Sequence, residues 1–452
     1  VRNPQRIPWA VAAVLFAAYF ALSVQRHRRM ESTGYDLGLF EQAVRNYAHL
    51  RAPVADFKSP GYNLLGDHFH PVLVTIAPLY RLYPGPVTLL IVQAGLLAVS
   101  AVPVTRLAAE SHGPRAGACI GLAYGLSWGI QQAVVFDFHE VAFAVPVVAR
   151  VTELLVRRQA WAAARWALLL PLVKEDMALI VVAVGAHLYR TGDRKAGAVV
   201  TGVAVAAAAL TVLVIIPAFN PDHSYNYFGV AQNGPENPFT RLFTPVGMKG
   251  NTLFALFAAT LFLALRSPLA LLTLPTLLAR FWASNPFLWG THFHYSAVLM
   301  PIVFIAALDG LDRLRRPGTG TLGRRIATAA PLAVLAAGTV PVALGAQPLG
   351  RLLRPSYAHV PPDVAEARRI LAVIPDGADV AAANRLAPQL TARCRVLRLD
   401  PVFLARRPRW AAVALPGRAG PPPPREEVAV QGLAASGYRP VARGGGIMLY
   451  RR

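Results

Sequence analysis

Cysteine is nearly absent. The 452 residues hold two, Cys119 inside an apolar run and Cys394 in the polar tail, so no disulfide framework and no CxxC metal site can be built. Charge is scarce as well. Charged residues make up 15% of the chain against 55% hydrophobic ones, too apolar a balance for an ordinary soluble protein. No Walker loop, GxSxG, HExxH or dinucleotide fingerprint occurs, which leaves a nucleotide cofactor without support. A basic helix with interleaved aromatics is also missing. The net charge of +22 therefore points to membrane topology and anionic lipid rather than to nucleic acid.

What the chain has instead is a series of apolar runs. Segments 86–105 and 196–217 approach the roughly 20 residues needed to cross about 30 Å of hydrocarbon. Candidate spans fall at 8–24, 86–105, 116–135, 141–156, 159–173, 177–190, 196–217, 251–265, 268–282, 295–308 and 326–345, about eleven crossings of a polytopic α-helical membrane protein. The first is followed by Gln25 and Arg26 with no small-residue cleavage signal, and reads as an uncleaved anchor. Short connections on one side hold Arg106, Arg115, Arg157, Arg158, Arg165, Arg190, Arg194, Lys195, Arg266 and the arginines of 313–325; those on the other hold little beyond Lys174, Arg241, Lys249 and Arg280. The positive-inside rule places the first set in the cytoplasm, against the vote of Arg26, Arg28 and Arg29, which precede a long loop. The expected address is the cytoplasmic membrane of a bacterium.

Two domains are expected: a multi-span domain over 1–345 with a long first outer loop, 25–85, and a small extracytoplasmic α/β domain over 350–452. In the loop, Phe40, Ala43, Val44 and Tyr47 recur at helical spacing with Glu41, Arg45 and Asn46 on another face, predicting an amphipathic helix at the membrane surface. Segment 71–83 is too short to cross and reads as interfacial or re-entrant. Residues 218–250 read as an ordered outer loop. In the tail, 363–374 has helical periodicity, ADVAA, CRVLRL, WAAVAL and GIMLYRR read as strands, and 416–424 as a loop.

The ionisable residues gather in connections opposite the arginines: YDLGLFEQ (35–42), GDHFHP (66–71), FDFHE (136–140), KEDM (174–177) and THFHY (291–295). Asp36 suits a general base or a metal ligand, or else a helix N-cap. Asp67, His68 and His70 could supply metal ligands or hydrogen bonds at a helix start. Asp137, His139 and Glu140 stand between apolar spans, where charge is costly unless it faces a cavity or a partner. Lys174, Glu175 and Asp176 suit phosphate and sugar-hydroxyl binding, or a solvated turn. His292, His294 and Tyr295 begin a span, where such residues are common belt groups.

The order of these clusters, with GDHFHP followed by a proline-containing apolar helix, resembles a bacterial and archaeal family of predicted membrane proteins, domain of unknown function 2079. That family is similar to the GT-C glycosyltransferases. The resemblance implies a multi-span enzyme that takes a sugar from a polyprenyl-phosphate carrier on the outer face and passes it to a lipid, glycan or protein acceptor. It also implies a catalytic acid in the first outer loop, which maps onto Asp36 as base or metal ligand, and Lys174 on the carrier phosphate. Asp67, His68, His70, His139, Glu140, Glu175, Asp176, His292, His294 and Tyr295 would line the site, with a divalent metal as the one cofactor to expect. A transporter would instead need ionisable groups near the bilayer midplane and two similar halves, whereas here the charges sit at span ends and no repeat is evident. A membrane anchor displaying the tail as a binding module is the third reading.

Overall fold

The computed structural model describes residues 6–227, 237–316, 320–415 and 423–452. Among them, four helices are long and apolar enough to cross a membrane: Arg6–Arg28, Pro86–His112, Arg194–Phe219 and Thr321–Ala343. A fifth crossing forms if Pro114–Gly125 and Trp128–Val135 count as one span bent by 46°. The eleven full spans expected from hydropathy are not confirmed among the described residues. Val141–Val156, Ala178–Arg190, Val246–Ala258 and Met300–Leu314 run for 16, 13, 13 and 15 residues. At 1.5 Å per residue such helices reach about 20–24 Å, short of the hydrocarbon thickness. Prolines at the starts of other segments, Pro171, Pro268 and Pro286, explain part of the fragmentation, since a proline lacks the N–H that would continue a preceding helix.

The helices pack around a core in which Leu15, Tyr19 and Leu22 of the first helix meet Leu97, Val104 and Tyr124. The Tyr19 hydroxyl donates to the Gly125 carbonyl at 2.7 Å, satisfying its polar end inside the bundle. Gly121 sits directly against Thr105, an approach of two helices that a side chain would block.

Segment 71–83 forms two short helices, Pro71–Ile76 and Ala77–Leu82, with Val74, Leu79 and Leu82 exposed, as an interfacial segment requires. The expected surface helix forms as Leu39–Ala48, but its polar face is not in water. Glu41 and Gln42 are buried along with Phe40, Ala43 and Val44. Glu41 accepts from the Tyr80 hydroxyl, while Gln42 donates to the Val396 carbonyl at 2.9 Å and accepts from the Phe57 N–H at 3.0 Å. The helix is thus sandwiched between its own loop and the C-terminal domain.

That domain contains a five-stranded sheet of β1 (Asp379–Ala382), β2 (Arg395–Arg398), β3 (Trp410–Ala414), β4 (Arg439–Gly444) and β5 (Ile447–Arg451), in the order β2-β1-β3-β5-β4. β1 is parallel to β2 and β3, whereas β5 is antiparallel to β3 and β4. The four expected strands form, and the helix of 363–374 appears as Pro362–Leu371. β4, RPVARG, was not expected: it is an edge strand with no buried residue, so no apolar alternation marks it. Pro424–Gln431 is helical; the rest of the expected loop, 416–422, lies outside the described residues, as do 228–236 of the loop expected over 218–250. The domain docks on the first loop through a two-pronged pair from Arg395 to Asp56 at 2.9 and 3.0 Å.

Candidate active site

Asp36 lies in the turn Gly34–Gly38 that leads into the helix Leu39–Ala48. It makes no capping hydrogen bond, so the N-cap alternative is not realised. Its carboxylate, 21% exposed, faces His139 Nε2 at 3.9 Å. His139 Nδ1 lies 2.9 Å from Glu140 Oε2, and the other Glu140 oxygen is 3.3 Å from Lys174 Nζ. Four groups from three separated connections therefore form one line: Asp36, His139, Glu140, Lys174.

Electrostatics differentiate them. Burial holds Asp36 above the ordinary carboxylate value; His139 and Lys174 oppose this, while Glu140 and Asp67 add to it. Glu140 is fully buried, which alone would raise its pKa, but His139 and Lys174 together bring it well below the usual range. Burial pulls on Lys174 in the opposite sense, and Glu140 opposite it wins, so the ammonium form is strongly favoured. A carboxyl with raised proton affinity thus stands near a fixed cation.

His294 stacks on His139 with ring centroids 3.5 Å apart and lies tilted against Tyr295 at 4.3 Å. Burial, then the neighbouring His139 and Lys174, keep it neutral, and its Nδ1 is buried without a hydrogen-bond partner. Phe136 and Phe40 complete the aromatic wall around His139. His292 is exposed and its ring lies against Phe293 at 6.4 Å.

A second cluster adjoins the first through the KEDM connection. Lys174 has extended backbone angles, φ −165° and ψ 145°, and extended backbone sends successive side chains to opposite sides. Lys174 meets Glu140, while Glu175 meets His68, with Nδ1 2.6 Å from Oε1. Glu175 also accepts from the Phe69 N–H at 3.1 Å and the Tyr225 hydroxyl at 3.2 Å. Asp67 pairs with Lys58 at 2.8 Å and accepts from Tyr227 at 3.0 Å. Tyr227 stacks on His68 at 4.5 Å. Asp176 is exposed.

Asp67, His68 and His70 were expected as metal ligands, and their geometry departs from that expectation. Asp67 is engaged by Lys58, His68 by Glu175, and His70 is buried edge-on to Phe40, where burial lowers its pKa to about 4. Among the described residues no group of three or more His, Cys, Asp or Glu is placed to hold a metal ion.

A family model described as predicted membrane protein (DUF2079) matches residues 26–442. The chain belongs to that family. Among solved structures, ArnT from Cupriavidus metallidurans bound to undecaprenyl phosphate aligns with a TM-score of 0.57 at 14% identity, covering 97% of each chain. Its apo form gives 0.56 at 15% identity, covering 98% of this chain and 97% of that one. The likeness shows a shared fold. No curated protein matches the chain.

In this DUF2079 chain, further residues hold the site in place. Asp137, buried and pushed up to about 6 by that burial, accepts from the Thr33 N–H at 2.9 Å and faces Arg26 at 3.5 Å, so it holds the start of the Asp36 turn. From the C-terminal domain, Asn384 accepts the Gly34 and Tyr35 N–H groups at 2.6 and 2.9 Å through its backbone and side-chain oxygens. Arg398 donates to the Tyr35 hydroxyl. Lys58, Tyr225 and Tyr227 stand outside the five polar motifs. Only the outward position of Lys58 in the same loop as Asp67 could have suggested its role.

Proposed function

We propose that the protein transfers a glycosyl group from a polyprenyl-phosphate sugar to an acceptor hydroxyl at the outer face of the cytoplasmic membrane. The observation that carries this reading is the line Asp36–His139–Glu140–Lys174, in a fold shared with ArnT, whose structure holds undecaprenyl phosphate. Asp36 takes the proton of the acceptor hydroxyl as its oxygen attacks the anomeric carbon. The bond from that carbon to the phosphate oxygen breaks, and the polyprenyl phosphate leaves with the electron pair, its charge balanced by Lys174. Inversion follows from a single displacement. His139, fixed between Asp36 and the ionised Glu140, orients the base. Glu175, His68 and the Tyr225–Tyr227 pair supply hydroxyl-accepting and ring-stacking groups suited to a sugar. The donor groups do not fit a ready-made metal site, and the scheme uses none.

The test is transfer of radiolabelled sugar from a panel of polyprenyl-phosphate donors in proteoliposomes, parent against Asp36→Asn at matched protein levels. A general base contributes about 10²–10⁴-fold, so the variant should lose transfer by that factor while still binding polyprenyl phosphate. Undiminished transfer by Asp36→Asn would remove this residue from the chemistry.

A further inference from the structure

The tail from 350 to 452 carries seventeen arginines and no lysine against seven Asp and Glu, an excess of ten positive charges. Topology does not account for it. This domain sits on the same side as Asp36, the side that the arginine-poor connections mark as outer, and the positive-inside rule gives no reason for basic residues there. Part of the excess is placed at one edge of the sheet. β1 is flanked by parallel β2 and β3, so the connections leaving β1 depart from a point where the strand order reverses. In open α/β sheets ligands bind beyond the carboxyl ends of the strands at such a point.

Here that edge abuts the Asp36 turn. Asn384, two residues past β1, holds Gly34 and Tyr35. Arg398, the last residue of β2, reaches the Tyr35 hydroxyl and also Asp400 at 3.3 Å. Buried Asp400 in turn faces Arg425 at 3.5 Å, a side chain 76% exposed. Glu426 is spent on the Asn384 N–H at 3.2 Å. Arg398 Nε is buried without a hydrogen-bond partner, and half-buried Arg385 has no hydrogen-bond or ion-pair partner among the described residues. Arg398 and Arg425 thus share one buried aspartate close to the candidate base, Arg398 keeps an unmet donor, and Arg385 follows Asn384 directly in the chain.

We propose that this edge is the acceptor subsite and that the acceptor is anionic, bearing a phosphate or carboxylate held by Arg385, Arg398 and Arg425. The proposal rests on the transferase reading for the word acceptor, but the binding site itself does not. Guanidinium groups recognise such anions through paired N–H donors, and the position beside Tyr35 would bring a neighbouring hydroxyl of the same molecule to Asp36.

The experiment uses the full chain in phosphatidylcholine nanodiscs and measures binding of a galacturonate oligosaccharide, a hexose phosphate and a neutral oligosaccharide of matched length. At least one acidic probe should bind, with the neutral one at least about tenfold weaker, since charge-assisted hydrogen bonds are about twice as strong as neutral ones. Arg385→Gln with Arg425→Gln should weaken the acidic probe by about tenfold or more. Arg406→Gln with Arg407→Gln removes the same charge at exposed positions elsewhere in the domain and should leave binding intact. Equal weakening by the two pairs would show a diffuse basic field and overturn the site. So would equal binding of neutral and acidic probes, binding of none, or a preference for phosphatidylglycerol vesicles that survives the Arg385 and Arg425 changes. Asp36→Asn should bind the probe as the parent does; if transfer fails in every donor while this binding holds, the transferase reading falls and the anion site stands.

Discussion

Glu140 offers the sharpest test of how the site is held. Its carboxylate is fully buried between His139 at 2.9 Å and Lys174 at 3.3 Å, and the Lys174 side chain is 11% exposed. Glu140→Gln keeps the shape and removes the charge, leaving a buried ammonium facing an amide. Breaking a buried pair costs about 3–5 kcal/mol; with Glu175 and Asp176 also acting on Lys174, about 3 kcal/mol is expected. Lys174→Met leaves Glu140 with His139 and should cost about 2 kcal/mol. The double variant removes both charges together, and because replacing a whole buried pair is often nearly neutral, its loss should stay at or below about 2 kcal/mol. The coupling is then about 3 kcal/mol or more. Equilibrium unfolding of the four proteins in mixed detergent micelles, followed by circular dichroism, gives the cycle. Losses that add to within about 0.5 kcal/mol would refute the pairing and with it the fixed cation beside Asp36. In Glu140→Gln the Lys174 pKa should also fall, because burial is left less opposed.

The His68–Glu175 pair should make stability depend on pH within a defined window. The Glu175 carboxylate beside it raises His68 above 6.5, against burial, so its contribution is complete below pH 6.5 and is lost as pH rises through the higher folded value. Glu175, which burial would raise, is instead brought from 4.5 to about 2 by His68, so its contribution is complete above pH 4.5 and fades as pH falls toward that value. The stability difference between the parent and His68→Gln should therefore peak between pH 4.5 and 6.5, and a difference flat from pH 3 to 9 would contradict the pairing. Sidedness is checked by labelling: with the native cysteines removed, Asp376→Cys should react with a membrane-impermeant maleimide in intact cells and Arg194→Cys only after permeabilisation. The reverse pattern would place the Asp36 cluster in the cytoplasm and end the outer-face scheme.

The segregation of charge was legible in the sequence because the bilayer penalises ionisable groups anywhere but at span ends or in cavities. Asp36, His139, Glu140, Lys174 and His294 were found that way, and the structure brings them together. The helix breaks were not legible, since hydropathy sums apolar content without registering where a helix is interrupted, as at Leu126 and Ser127 between the two halves of the bent pair. The burial of Glu41 and Gln42 was equally hidden. Helical periodicity assigns polar residues to solvent, and only tertiary partners such as Tyr80 and Val396 make their burial tolerable. Asn384 and Arg398 lie some 350 residues from the turn that they grip, a contact no local pattern encodes.

These contacts have a consequence for how the site works. The Asp36 turn, in which Leu37 is fully buried and Tyr35 packs edge-on to Phe57, is five residues long. It is fixed by Asp137 from the membrane domain and by Asn384 and Arg398 from the C-terminal sheet. Lys174 and Glu175, adjacent in sequence, tie the Asp36–His139–Glu140 line to the His68 cluster with no intervening residue. The candidate base therefore belongs to the seam between two domains, while the candidate cation belongs to the membrane domain alone. A shift of the C-terminal sheet would move Asp36 relative to Lys174. Under the proposed chemistry, the acceptor subsite and the base are therefore joined through the same contacts of Asn384 and Arg398 with the Asp36 turn.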